Sequence, residues 1–270
     1  MIIIGEKING AIPSVKEAIA ARDSQLIRSR AIEQDLAGAD FIDCAPSTAT
    51  ELEYDAMLWL IDNIQAVTEK PVCIDSPNAR LLARILEEGR LNKVGMINSV
   101  NEEGDKCEII FPMIAGTDWT VIGLTCDQDG IPSDPKKKLD IAKRIIDKAD
   151  KYGVALKNLH IDPCVMALST MPTAMLDLAA CIRGIHEYAP EVKVTGALSN
   201  ISFDMPARKY VNIGCMAYAI EAGIDSAILD PCNTDLISVI YACEALCGKD
   251  KSGRKYNRAY RAGKIGKKKA

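Results

Sequence analysis

Short apolar runs that stop abruptly at one polar residue recur along this chain. Val72-Cys73-Ile74 stops at Asp75, followed by Ser76-Pro77-Asn78, and Leu159–Ile161 stops at Asp162-Pro163. Runs of this length fit strands buried on both faces. After each run comes a longer stretch in which apolar side chains return every three or four residues, the period of an amphipathic helix. The pattern predicts strands at Ile2–Ile4, Phe41–Ile42, Val72–Ile74, Lys93–Ile97, Thr120–Leu124, Leu159–Ile161, Val192–Leu198 and Ala227–Leu229. It predicts helices over Pro13–Ala37 with a break near Arg22-Asp23, Thr50–Glu69, around Leu81–Leu86, Glu102–Ile114, Asp134–Tyr152, Thr173–Tyr188, Ala207–Ala222 and Asp235–Leu246. Ser76 and Asn78 are placed to cap the helix that follows them, and Gly38 to close the one before the second strand.

Eight strand-then-helix units, spaced by roughly thirty residues, imply parallel strands with helical crossovers. That number in a chain of 270 residues is the size of a closed (β/α)8 TIM barrel, of the α/β class. A doubly wound open sheet is the alternative, and no Gly-x-Gly-x-x-Gly follows the first strand to favour it. No linker or composition shift precedes residue 249. The expected organisation is one barrel over residues 1–248 and a Lys/Arg-rich extension over 249–270.

Charge refines this picture. The extension carries ten basic residues and one acid, which leaves about −13 for the rest of a chain whose formal net charge is −4. An acidic body does not suit nucleic-acid binding. The basic tail reads as a solvated extension, with docking of an acidic partner or of a substrate's polyglutamate chain as the alternative. The apolar runs fall far short of the ~20 residues of a membrane span, and the N-terminus lacks the form of a signal peptide. Ten scattered cysteines without a Cys-x-x-Cys pair read as reduced thiols of a cytoplasmic protein. Cys243 and Cys247 share a helix face, a weak metal or redox signal. Two histidines and no clustered ligands argue against a protein-bound zinc, and no resident metal is expected.

In a barrel of this type the strand tips open on one face, where the active site lies. Glu6, Asn9, Asp43, Asp75, Asn98, Thr125, Asp162, Asn200 and Asp230 would then surround one cup, poor in Lys, Arg and His. Such a cup serves phosphate badly. Mg²⁺ held by Asp75, Asp162 and Asp230 is one occupant compatible with it. A flat neutral heterocycle with a row of N–H donors fits better, because a carboxylate accepts two parallel hydrogen bonds and an amide both donates and accepts. No Ser/His/Asp triad is visible. His160 shares strand parity with Asp162 but reads as core, and His186 reads as surface.

The motifs Gly5-Glu6-Lys7-Ile8-Asn9-Gly10, Ile74-Asp75-Ser76, Met96–Asn101, Ile122–Thr125, Ile161-Asp162-Pro163 and Leu198–Ser202 closely resemble the methyltetrahydrofolate:corrinoid methyltransferases, in order over about residues 1–248. The resemblance implies a pterin-binding barrel, a homodimer, and methyl transfer between N5 of tetrahydrofolate and the cobalt of a corrinoid (cobalamin) carried by a separate corrinoid protein. It implies that Asp75, Asn98 and Asp162 hydrogen-bond the pterin, with Ser199 and Ile228 beside it. Asn200 would lie near N5 as the catalytic residue, stabilising the transition state rather than serving as an acid. Tetrahydrofolate or 5-methyltetrahydrofolate is then a substrate, and the direction of transfer is left open.

Two departures stand out. This chain has Asp43-Cys44-Ala45 where the family commonly has Asp-Leu-Asn, and Phe203 where it commonly has Gln near N5. No Asp-x-His-x-x-Gly is present to bind a corrinoid through histidine. Two rivals remain in view: a dihydropteroate synthase, which would want a glycine-rich turn after the second strand, and a non-catalytic folate-binding protein.

Overall fold

The computed structural model describes residues 1–266. Strands and helices alternate after a pair of helices behind the first strand: β1 (Ile2–Gly5), α1 (Pro13–Ala21), α2 (Ser24–Ala37), β2 (Phe41–Cys44), α3 (Thr50–Gln65), β3 (Val72–Asp75), α4 (Ala79–Glu87), β4 (Met96–Glu102) and α5 (Lys106–Ile114). The second half adds β5 (Thr120–Asp127), α6 (Pro135–Tyr152), β6 (Leu159–Asp162), α7 (Ala174–Tyr188), β7 (Lys193–Val194), α8 (Arg208–Ala222), β8 (Ser226–Leu229), α9 (Thr234–Leu246) and α10 (Arg254–Arg261). The ladders are parallel and run β7-β6-β5-β4-β3-β2-β1-β8. Two hydrogen bonds close the ring between its last neighbours: Asp225 N–H donates to Val194 O at 3.0 Å and Ile228 N–H to Gly196 O at 3.1 Å. The expected TIM barrel is what the chain builds, and it is a single domain.

Local chemistry sets the boundaries. The break between α1 and α2 falls where expected: Arg22 turns left-handed at φ 54°, and the Asp23 side chain accepts from the N–H groups of Gln25 and Leu26. Gly38 ends α2 at φ 97°, a conformation that costs glycine least. Three segments differ from the sequence expectation. β4 begins at Met96 rather than Lys93, and just before it Gly95 passes so near Val72 O that a Cβ there would lie 2.2 Å away. β4 then continues to Glu102 through an extra residue between Asn98 and Val100, which delays α5 to Lys106. β7 shrinks to two residues, and Leu198–Ser202 is a short 3₁₀ turn instead of strand and loop.

Strand parity divides the interior. Ile42, Ile74, Ile97, Val121 and Ile161 face the helices in one large core. Ile4, Cys73, Met96 and Ile122 face inward, with Phe41, Leu124 and Ile228 packed on them, and form an apolar floor inside the barrel. His160 stands level with Ile122 and shares a 2.8 Å hydrogen bond with Ser226. Burial pushes its pKa down to about 3, so it is a neutral core group.

The basic extension is ordered as far as it is described. Asp250 accepts from the N–H groups of Lys255 and Tyr256 at the start of α10, and Ala259 and Ile265 are buried. Lys249 reaches Ile220 O at 3.5 Å, and Lys264 lies against Gly38. Both contacts lie just before β8 and β2, so residues 249–266 sit at the strand N-termini, opposite the proposed cup. They are not a wholly solvated run, and they do not approach the cup as a polyglutamate site would. The remaining residues, 267–270, lie outside the described part.

Candidate active site at the strand tips

The interior parity that builds the floor also decides what stands above it. Two residues beyond Phe41, Cys73, Met96 and His160 come Asp43, Asp75, Asn98 and Asp162, all at the same end of the barrel. In register, Asp43 pairs with Cys73 and Asp75 with Asn98, while Leu124 pairs with Asp162. Asp43, Asn98 and Asp162 are nearly inaccessible, at 1%, 8% and 7% exposure, yet polar.

Burial dominates their electrostatics. It pushes the Asp43 carboxyl up to about 7, although the Cys73 thiol and the Asn98 amide pull the other way. Asp75 is raised well above the usual carboxylate range by burial and by the neighbouring charges of Asp43 and Glu53. Asp162 is pushed up to about 6 by burial, against the Cys164 N–H, the Lys138 ammonium and the Ala197 backbone. Glu6 is raised by burial and by Asp230.

Several of these groups have no partner inside the described chain. Asp43 Oδ1, Thr125 Oγ1 and Thr195 Oγ1 are buried without a hydrogen bond. The side chains of Asp75 and Asn200 make none either, while the Asn200 carbonyl accepts from Phe203 N–H at 3.2 Å. A buried polar group left unsatisfied costs about 1–3 kcal/mol, so these atoms call for a ligand with matching donors and acceptors.

Ser199 and Asn200 lie in the 3₁₀ turn after β7. Ser199 and Ile228 border a cavity of about 80 Å³ shared with Glu6, Asn212 and Asp230. A wider recess of about 440 Å³ lies to one side, under the β5–α6 loop between Asp127, Asp134, Lys137 and Arg144.

Some expected members of the cup are occupied elsewhere. Asn9 Oδ1 accepts from Ala11 N–H and Ser47 Oγ, so it staples the loops beyond β1 and β2. Asp230 is paired with Lys7 at 3.1 Å. Among the described residues, no group of three or more His, Cys, Asp or Glu could hold a metal ion, so Asp75, Asp162 and Asp230 do not form the Mg²⁺ site considered from sequence. Among the described residues, Cys243 and Cys247 likewise gain no third ligand.

Sequence reasoning missed the cations. Lys138 is 4% exposed in the first turn of α6, and its Nζ donates to Cys164 O at 2.7 Å. Arg208 donates to Ser202 Oγ and Ser199 O, both at 2.9 Å, and its guanidinium lies 4.9 Å over the Phe203 ring. Phe203 is 48% exposed at the lip. Glu53, another hidden member, accepts from Ser76 Oγ at 2.6 Å beneath Asp75. Helix-borne residues of this kind carry no strand-tip signal.

Comparison with known proteins fits this geometry. The model of the pterin binding enzyme family matches residues 8–230. A methylcorrinoid:tetrahydrofolate methyltransferase of Eubacterium limosum is 44% identical over 268 residues, 98% of either chain. A methionine synthase of Mycobacterium tuberculosis is 30% identical over 85% of this chain, which spans 20% of that protein. Among solved structures, dihydropteroate synthase from Vibrio fischeri superposes with a TM-score of 0.67 at 16% identity, covering 92% of this chain and 94% of that one. At that identity the likeness is one of fold.

Proposed function

The chain belongs to the pterin-binding enzymes, and we propose that it is a methyltransferase acting between a corrinoid on a separate protein and N5 of tetrahydrofolate. The observation that carries this reading is the 44% identity, end to end, with a methyltransferase named for those two substrates. The groups of the bowl that lack partners, Asp43 Oδ1 and the side chains of Asp75 and Asn200, support it. A pterin offers an amino-pyrimidinone edge whose adjacent N–H groups suit paired carboxylates. We assign Asp75, Asn98 and Asp162 to that edge, and Ser199 and Ile228 to the wall beside it.

The relative's name places methylcorrinoid as donor, and we assign the same direction here. The N5 lone pair attacks the methyl carbon in line with the cobalt–carbon bond, whose electron pair stays on cobalt. N5 gains the methyl group and positive charge, then loses its proton. The Asn200 carboxamide, free of other bonds, orients a hydrogen bond to N5 that strengthens as this charge develops. Pre-placing the two reactants removes much of the entropic barrier.

The corrinoid protein would dock over the open end, where Phe203 is held out by Arg208 on one side and by Ser169 Oγ, which donates to its carbonyl at 3.0 Å, on the other. We also propose a homodimer through the outer face of α7 and α8, where Leu176, Tyr210 and Tyr218 are 68%, 73% and 63% exposed. A cytoplasmic setting suits ten cysteines that are all free. Residues 1–248 are the pterin-binding unit in this reading and 249–270 an accessory extension. No helix among the described residues is long and apolar enough to cross a membrane.

The test is anoxic mixing of the protein with tetrahydrofolate and a methylated corrinoid protein. The Co(I) absorbance and 5-methyltetrahydrofolate should appear together. Folate binding without any change in the cobalt spectrum would leave a binding protein and overturn the reading.

A further inference from the structure

Three lysines open α6. Lys136 and Lys137 are exposed, but Lys138 is 4% exposed. Its Nζ makes one hydrogen bond, to Cys164 O at 2.7 Å, and among the described residues it has no ion pair. Beside it stands the Cys181 thiol of α7, which donates to Pro135 O at 3.7 Å, with Asp134 and Asp177 near that thiol. An ammonium carries three donors, and burying a charge without a counter-ion is costly. Packing alone would favour an apolar chain at this position, which points to a use for the cation.

The residue that Lys138 holds is strained. Cys164 has a φ of 52°, in the left-handed region that is costly for a residue with a Cβ and persists only when the surroundings fix it. It is fixed on both sides of its backbone: its carbonyl accepts from Lys138, and its N–H donates to Asp162 Oδ1 at 2.7 Å. Its thiol also donates to Asp162 O at 3.6 Å. One residue therefore joins a buried ammonium on α6 to the carboxylate at the tip of β6.

We propose that Lys138 is a positioning residue for the pterin: by holding the Cys164 carbonyl it aims the Cys164 N–H at Asp162, and its charge keeps that carboxylate ionised for the N–H edge of the ligand. The proposal rests on Asp162 holding the pterin and adds a residue that acts through Cys164 rather than on the ligand. One hydrogen bond on Oδ1 fixes the plane of the carboxylate and leaves its other acceptor positions for the pterin.

The surroundings of Asp162 leave this task to Lys138. Burial opposes ionisation, and the Cys164 N–H, the Lys138 ammonium and the Ala197 backbone oppose burial. On one side β5 sets the apolar Leu124 beside it, and on the other Gly196 leaves space where a Cβ would lie 3.6 Å from Asp162 Oδ1. Of these neighbours only Lys138 brings a full charge, and a nearby cation favours a carboxylate over its acid.

Two variants of the full chain separate holding from charge. Lys138→Met keeps the length and loses both donor and charge, whereas Lys138→Gln keeps a donor for the Cys164 carbonyl and loses the charge. Binding of 5-methyltetrahydrofolate is measured by calorimetry from pH 5 to pH 8. Both variants should move the midpoint of the affinity profile upward by about one pH unit from its wild-type place near the Asp162 pKa of about 6. At pH 8, with the carboxylate ionised in each protein, Lys138→Gln should bind within about threefold of wild type and Lys138→Met about tenfold more weakly, the order of one hydrogen bond to a charged group. Asp43, pushed up to about 7 by burial, titrates in the same range, so the step is assigned with Asp162→Asn. That variant should lose the step, and adding Lys138→Gln to it should change nothing further. Unshifted midpoints in both Lys138 variants, a shift that persists in the Asp162→Asn background, or wild-type binding by Lys138→Met at pH 8 overturns the proposal. Normal folate binding by Asp162→Asn alone means that the pterin assignment has failed, whereas weak binding by it beside unshifted Lys138 variants means that only the Lys138 proposal has.

Discussion

At the N-terminal ends of the strands, acids are matched. Ile3 N–H donates to Asp40 Oδ2 at 2.8 Å, the amino group of Met1 pairs with Glu244, and Asp225 receives Val194 N–H at 2.8 Å with His186 Nε2 at 3.2 Å. Burial would raise Asp225, but His186 and the Val194 N–H outweigh it and hold the carboxyl below its ordinary range. A few residues further along the same barrel, Asp43, Asp75 and Asp162 are all raised, and the Asp75 side chain makes no hydrogen bond. One scaffold therefore stabilises ionised carboxylates at one end and strands them at the other. Acids at the lower end contribute to holding the fold together. Acids at the upper end cost stability and keep their bonding capacity for something that arrives.

The largest effect should come from exchanging the roles of these ends. Asp75→Ala or Asp162→Ala removes charge-assisted hydrogen bonds of about 1.5–3 kcal/mol each, so the folate Kd should rise a hundredfold or more in calorimetry. Asp225→Ala should lower the melting temperature by about 5 °C or more and leave the folate Kd within twofold. Equal loss of folate binding in Asp225→Ala would erase the distinction. Next in size is Asn200→Ala, for which single-turnover kinetics should show transfer slowed about 30–100-fold, the order of one transition-state hydrogen bond, with folate affinity within threefold. An unchanged rate would remove Asn200 from the chemistry.

The pH dependence should carry opposite signs at the two ends. If Asp162 binds folate as the carboxylate, with its pKa raised to about 6, affinity should rise about tenfold from pH 5 to pH 7. A raised carboxyl favours the folded state while protonated. Its contribution is complete below the unfolded pKa of about 3.9 and is lost as pH climbs through the folded value, so ligand-free stability should fall over the window in which affinity grows. Asp225, lowered, does the reverse: its contribution is present above its unfolded pKa and lost as pH falls through the folded one. Thermal melts of wild type and Asp162→Asn across this range would separate the two. The smallest effect is expected at the lip, where Phe203→Ala should raise KM for the methylated corrinoid protein about three- to tenfold and leave the folate Kd unchanged.

Much of this could be read without coordinates. Apolar runs the length of strands, each stopping at Asp or Asn and followed by helical periodicity, gave the eight-unit barrel. Position at the strand ends placed Asp75 and Asp162 on the open face of the barrel, because parallel strands all finish at the same end. The two-residue β7, the extra residue after Asn98 and the late start of β4 were not legible. At Gly95 the backbone passes close to Val72 O, an approach between segments distant in sequence that no local pattern announces. Lys138 and Arg208 were missed for a related reason. On a helix they look like ordinary solvated cations, and only the packing of α6 and α8 turns them toward the rim.

The sequence alone determined which strand-borne residues reach the rim, since hydrophobic period and strand length are local properties. Tertiary structure decided which of them remain free. A hydrogen bond is made or withheld by a partner tens to hundreds of residues away, as Lys7 and Asp230 illustrate with 223 positions between them. Asp230 and Asn9 were used up by such closures, whereas Asp75 and Asn200 were left open, and no local pattern distinguishes those outcomes.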